Sequence, residues 1–262
     1  MPHESEVTSI WFSTRRSRLV GYGVHVFITR GAMIDTAFHA VRRELSSLVN
    51  ERPPRGIILT HHHEDHAGNI EMTAARGVPI AVAPMTMKSV AARAPVGLYR
   101  RFVWSPMPVL RSPITPFAPE GFELIHTPGH SPDHHVVWDA EREILFAGDL
   151  FLAVKVRVAR PGEDPRALVD SLRIAAALRP RRMFDAHRGE IAAPVDALLA
   201  KAAWLEETIA RIDRRIAQGA PDAVIRDEVL GREDLVSYLS RGDLCKLNLV
   251  RAVRGSRASA GP

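Results

Sequence analysis

Four histidines, a glutamate and an aspartate fill positions 61–66 of the stretch "ILTHHHEDHAGN" (58–69), directly behind an apolar run. Imidazole nitrogens and carboxylate oxygens are donors that hold zinc, iron or manganese, so the first chemistry to weigh is metal binding. The spacing sorts the six residues. Where an extended chain leaves a strand, residues i and i+2 point one way and i+1 the other. His61 and His63 can therefore converge on one ion while His62 turns aside. Asp65 and His66 enter the next turn, face a slightly different direction and can serve a second ion. His62 and Glu64 read as spacers.

A cluster of this size cannot complete two ions alone, so other parts of the chain must return donors. Three candidates stand at the ends of apolar runs: His130 behind "ELIHTPG", Asp149 behind "EILFAG" and His187 behind "RRMFDA". Pro128-Gly129 makes a tight turn that exposes the side chain after it. The carboxyl ends of strands are where layered α/β folds put their sites. The single cysteine, Cys245, excludes an internal disulfide and a thiolate metal cluster, which leaves nitrogen and oxygen ligands.

The elements that must carry these residues alternate. Strands are expected over 7–12, 19–29 (with Gly21-Tyr22-Gly23 as a bend or edge), 31–36, 56–60 and 78–83, and helices over 39–50 and 66–76. The proline-rich stretch 84–120, with "GLYRRFVWSPMP" at its centre, reads as a long functional loop. It is either a lid that places Tyr99, Phe102, Trp104 and Met107 over the metals, or a contact between two copies in a homodimer. Three strand-like runs follow in 121–149, then a helix over 164–178 that Asp164 can cap, and a last strand over 181–187. Beyond Pro194 the pattern is purely helical: 195–218, 222–230 and 243–253. The layering is α/β.

In order, T-H-x-H-x-D-H at 60–66, T-P-G-H at 127–130, G-D at 148–149 and the isolated His187 resemble the motifs of the metallo-β-lactamase fold hydrolases. The short "MIDT" strand ending at Asp35 resembles that family's early aspartate, which orients the metal loop. The resemblance implies an αββα sandwich, two mixed β-sheets packed face to face with helices outside. It covers about 7–190, which makes 1–193 a hydrolase domain, 194–253 a helical C-terminal extension and 254–262 a disordered tail. It also implies a ligand set. His61, His63 and His130 would bind one ion, Asp65, His66 and His187 the other, and Asp149 would bridge them. The implied cofactor is a pair of divalent ions, zinc first, with iron or manganese as alternatives. Two such ions roughly 3.5–4 Å apart share a hydroxide and polarise the group under attack. Asp65 is the candidate catalytic residue, orienting the nucleophile or moving its proton.

Departures from particular branches narrow the substrate. Asp149 stands where true β-lactamases have cysteine or serine, and His63 where flavodiiron-type members have glutamate. Leu152 occupies the place of the catalytic tyrosine of homoserine-lactone lactonases. The expected reaction is hydrolysis of an ester, thioester or lactone. The alternatives are a phosphodiesterase or nuclease on the same two-metal site, and a mono-iron persulfide dioxygenase that keeps only the first set of ligands. Arg157, Arg160 and Arg188 are candidates to hold an anionic small-molecule substrate.

Composition sets the outer bounds. The 262 residues are 46% hydrophobic and 25% charged, an ordinary globular balance. No apolar run approaches the roughly 20 residues that span a bilayer, and residues 1–18 lack the apolar core of a secretion signal, so the expected setting is cytoplasmic, with no membrane partner. The net charge of +5 invites nucleic acid, but arginine outnumbers lysine 31 to 4 and the cations are scattered, so nucleic acid is not the expected partner.

Overall fold

The computed structural model describes residues 6–92 and 96–259. Among them, ten strands form two sheets of five. The first sheet runs in chain order: β1 (Thr8–Phe12), β2 (Val24–Thr29), β3 (Ala32–Ile34), β4 (Gly56–Ile58) and β5 (Ile80–Ala81). β1, β2 and β3 pair antiparallel, while β3, β4 and β5 pair parallel. The second sheet contains β6 (Glu123–His126), β7 (His135–Asp139), β8 (Ile144–Phe146), β9 (Arg182–Asp185) and β10 (Gly189–Ile191). There the parallel pair is β8 with β9 and the other pairs are antiparallel. Both sheets are mixed.

The period of two along each strand builds the layers. Phe27, Ile34 and Ile58 of the first sheet meet Val137, Phe146 and Phe184 of the second in one apolar cluster between the sheets. Their chain neighbours Val26, Met33 and Ile57 point outward. They pack with Leu45 and Val49 of α2 (Arg42–Glu51) and Ile70 of α3 (Ile70–Ala74). On the far side Val136, Leu145 and Met183 pack with Leu172 of α6 (Pro165–Ala177) and Leu198 of α7 (Pro194–Ala217). This is the αββα sandwich. The second half of α7 leaves the sheet, and Leu205, Ile209 and Ile212 join Ile225 of α8 (Asp222–Val229) and Val250 of α10 (Lys246–Ser259) in a separate cluster. Cys245, just before α10, makes an antiparallel backbone bridge with Ala159, which ties these helices to the loop in front of α6. No helix among the described residues is long and apolar enough to cross a membrane.

Several sequence expectations are corrected here. The strand expected over 19–29 starts only at Val24, because Thr14 and Ser17 form a capping box that nucleates α1 (Arg15–Leu19) and Gly21, at φ 75°, turns the chain. The helix expected over 66–76 shrinks to α3. Residues 84–120 hold two helices, α4 (Pro84–Ala92) and α5 (Leu98–Trp104), while 93–95 lie outside the described residues. β10 and α9 (Leu235–Leu239) were not foreseen. The tail expected to be disordered over 254–262 continues α10 as helix through Ser259, and 260–262 lie outside the described residues.

Candidate metal centre

β4 ends at Ile58, and the chain then drops its histidines into the cleft at one end of the sandwich. The loop is fixed from below by Asp35, a buried residue in the left-handed region (φ 63°) at the end of β3. A non-glycine residue holds that conformation at some cost, and here it aims a carboxylate at three groups. Thr60 N donates to Asp35 Oδ1 at 2.8 Å, Thr60 Oγ1 donates to Oδ2 at 2.8 Å, and His66 Nδ1 lies 2.7 Å from Oδ2. With Nδ1 donating to Asp35, His66 keeps Nε2 free to face the cleft. His187 is oriented the same way, Nδ1 to the Gly23 carbonyl at 2.7 Å.

All seven predicted residues come together, in two groups. The donor atoms of His61, His63, His130 and Asp149 lie within 4.8 Å of one another, and so do those of Asp65, His66, Asp149 and His187. In the first group His63 Nδ1 is 2.9 Å from both His61 Nε2 and His130 Nε2. Asp149 joins the groups: Oδ2 is 3.2 Å from His130 Nε2, and Oδ1 is 3.2 Å from both His66 Nε2 and His187 Nε2. Asp65 Oδ2 is 3.4 Å from His187 Nε2. The seven are buried or nearly so.

The electrostatics suit a cation pair. Burial alone would neutralise Asp149 and Asp65. His187, His66 and His130 instead hold Asp149 well below the ordinary carboxylate range, and His66 and His187 do the same for Asp65. Burial opposes charge on His66 and His187 too, yet Asp149 and the other carboxylates around them hold both well above the usual imidazole value, so a metal ion would bind there by displacing a proton from Nε2. His61 and His63 are pushed well below it by burial, so both stay neutral and keep lone pairs. Both oxygens of Asp65, His66 Nε2 and Asp149 Oδ1 are buried, and the ion pairs they form with each other and with His187 at 3.2–3.4 Å lack hydrogen-bond geometry. Polar atoms in that state are costly unless an ion or ligand engages them, and nitrogen and oxygen donors converging from two sides fit two divalent metals.

The supporting residues were only partly visible beforehand. His62 does point away from the centre, but it is a clamp. Its N donates to Asp133 Oδ2 at 3.0 Å and its Nδ1 lies 2.7 Å from Oδ1 of that buried carboxylate. Glu64 likewise points away, to Arg100 of α5. Buried His134 accepts from Asp149 N at Nε2 (3.1 Å), with Nδ1 2.9 Å from Thr127 Oγ1. Lys201 of α7, fully buried, donates to the carbonyls of Leu150 and Phe151 at 2.9 and 2.6 Å. Nothing in the pattern of the sequence marks Asp133 or Lys201.

A cavity of about 460 Å³ opens over the two groups. Tyr22, Tyr99, Trp104 and Trp204 give it an aromatic wall, and Lys155, Arg157, Arg160, Arg188 and Lys246 a cationic one. Arg160 reaches furthest in, Nη1 at 3.0 Å from His63 Nδ1. Of the four residues expected over the metals, Tyr99 and Trp104 line this cavity. Phe102 instead faces an outer groove under the guanidinium of Arg16, and Met107 packs in the core outside the first sheet.

Comparison with known proteins agrees with this geometry. The chain is 28% identical over 145 residues to the probable metallo-hydrolase YybB of Bacillus subtilis (strain 168), an alignment that covers 53% of this chain and 66% of that relative's length. Among solved structures, the metallo-beta-lactamase family protein TTHA1429 from Thermus thermophilus superposes with a TM-score of 0.65 at 18% identity, covering 96% of this chain and 94% of that one. TTHA1623, solved in a di-iron-bound form, superposes with a TM-score of 0.50 at 25% identity over 74% of this chain and 93% of that one. The model of the Metallo-beta-lactamase superfamily matches residues 26–187, from β2 to the last of the seven converging side chains. The chain belongs to the metallo-beta-lactamase superfamily of metal-dependent hydrolases.

Proposed function

We propose that the protein is a dinuclear metal-dependent hydrolase that cleaves an ester, thioester or lactone of a small anionic molecule. The reading is carried by Asp149, whose two carboxylate oxygens face different histidine sets at 3.2 Å. One carboxylate turned both ways is what two neighbouring cations require. His61, His63 and His130 would hold the first ion, Asp65, His66 and His187 the second, and Asp149 both. Two divalent ions, when bound, supply a water activated at neutral pH and a Lewis acid for the carbonyl. Zinc suits the donor set, and iron is the alternative that the di-iron form of TTHA1623 suggests.

The chain's own residues supply the rest. Asp65, kept ionised by His66 and His187, is placed to orient the attacking nucleophile through a carboxylate oxygen. Asp35, His134 and Lys201 fix the loops on either side of the centre. The aromatic wall excludes water and accepts the apolar body of a substrate. The anionic character rests on the cationic wall of the cavity, whose Arg160 comes within 3.0 Å of His63. Against burial, the carboxylates of Asp65, Glu64, Asp149 and Glu163 keep that guanidinium charged. Completeness of the second ligand set weighs against the mono-iron alternative.

The test is a matched pair of esters, p-nitrophenyl hydrogen succinate and p-nitrophenyl butyrate, run with an acyl thioester, a lactone and bis(p-nitrophenyl) phosphate on metal-replete protein. His61→Ala is the blank. The expected result is two metals per chain and a kcat/KM preference of about tenfold or more for the anionic ester, abolished by Arg160→Gln. One metal per chain that persists in excess metal ends the dinuclear reading. Turnover of the phosphodiester alone moves the function to phosphodiesterase.

A further inference from the structure

Glu64 lies between two residues that converge on the metal centre, yet its carboxylate turns to the opposite side. It is 4% exposed, and both its oxygens accept from one guanidinium: Arg100 Nε to Oε1 at 2.6 Å and Nη2 to Oε2 at 2.5 Å. Arg100 is on α5, and Asp243, from the turn before α10, approaches its Nε at 4.0 Å. A two-pronged guanidinium–carboxylate pair fixes angle as well as distance. So α5 takes its position from the same loop that presents His63 and Asp65.

The residue before Arg100, Tyr99, lines both the cavity and the outer groove beside Phe102. Its Oη is buried with no hydrogen-bond partner in the protein. Burial and the nearby Tyr22 push its pKa up to about 12, so at neutral pH it is a donor. A buried hydroxyl without a partner is destabilising, and it is tolerated where a ligand or water brings the acceptor. Tyr22 lines the same cavity and packs edge-on against Trp104, whose ring lies 6.3 Å from that of His187.

Taking the two-metal hydrolase reading as given, we propose that Tyr99 is a substrate-binding residue whose hydroxyl donates to an oxygen of the bound substrate. Glu64, acting through Arg100, is the positioning residue that sets α5, and with it Tyr99, against the metal centre. The residue that looked like a spacer in the motif thus references the substrate wall to the metal loop.

Three variants of the full chain decide this, read by metal content, by amide hydrogen exchange across 98–104 and by kinetics on whichever of the esters, thioester and lactone the wild type hydrolyses. Glu64→Gln and Arg100→Lys should keep two metals per chain and raise exchange in α5. They should raise KM about tenfold, with kcat changed much less. Tyr99→Phe should raise KM by about fivefold or more and leave both exchange and metal content as they were. Loss of metal from Glu64→Gln and Arg100→Lys alike would make Glu64 a support of the metal loop and overturn the positioning role. Unchanged exchange in both would overturn it as well. Unchanged KM in Tyr99→Phe would remove the hydroxyl from the substrate. If the wild type hydrolyses none of the probes, the hydrolase reading fails and the role of Tyr99 falls with it, while exchange and metal content still decide the Glu64–Arg100 contact.

Discussion

The first sheet sends four of the converging side chains from a single loop behind β4, whereas the second sends one each from the ends of three chain segments, behind β6, β8 and β9. The two contributions are held differently. The loop of the first sheet needs anchors at both flanks, and it gets them from buried carboxylates: Asp35 grips Thr60 and His66, and Asp133 grips His62. The second sheet relies on turns, one of them closed by a buried carboxylate of its own. Gly129, at φ 132°, packs where a Cβ would lie 2.5 Å from the Leu168 backbone, so His130 is locked against α6. Asp185 Oδ1 accepts from His187 N at 2.8 Å and from Arg188 N at 2.9 Å, and its Oδ2 accepts from Leu152 N at 2.7 Å. A dense local motif is easy to see and costly to hold in place, while dispersed ligands are hard to see and come with their own scaffold.

Asp149 is where the two halves meet, so its loss should have the largest effect. Asp149→Ala is expected to empty both sites and to lower kcat/KM by at least about a thousandfold. Retention of one tightly bound ion would show that the halves bind independently. Asp35→Asn should act on the first sheet's loop alone and cost about 10–100-fold in metal affinity or activity, as outer partners of metal ligands do. Titration of apo protein with zinc measures this, and an unchanged affinity would remove Asp35 as the anchor. On the second sheet's side, burial lowers Lys201 to about 8 from 10.5. Between those values the unfolded chain keeps a proton that the folded chain has released. Stability from this group therefore rises with pH across the window, by up to about 3 kcal/mol. Urea midpoints at pH 8 and pH 10.5 should show the wild type gaining on Lys201→Met as pH rises. His62→Ala should be mildest, leaving two metals bound and costing about 1 kcal/mol through the lost bond to Asp133. Metal loss equal to that of His63→Ala would contradict the alternation along the loop.

The alternation rule separated His61 and His63 from His62 because a strand-end loop preserves the period of two for a few residues. It ended there. The rule tells which side chains leave the centre but not what they meet, so Glu64 and His62 read as spacers although both make paired contacts. Asp133 and Lys201 act across 71 and about 50 residues of chain, which no local pattern encodes. The fold was most legible where burial on both faces wrote an apolar run, as in β3, β4 and β8. β10, Gly-Glu-Ile, carries no apolar run and is held by the Asp185 turn. The α-helical Leu98–Trp104 was hidden by flanking prolines that made the whole of 84–120 look irregular.

The bridge between Ala159 and Cys245 lets the protein report on itself. The chain's single thiol is 6% exposed, its pKa raised by burial, and it lies one residue from the backbone that carries Arg160. A thiol reagent is expected to react with it faster whenever the C-terminal helices separate from that loop. The rate of its modification would then follow opening of the cavity wall, readable without a substrate and with no engineered label.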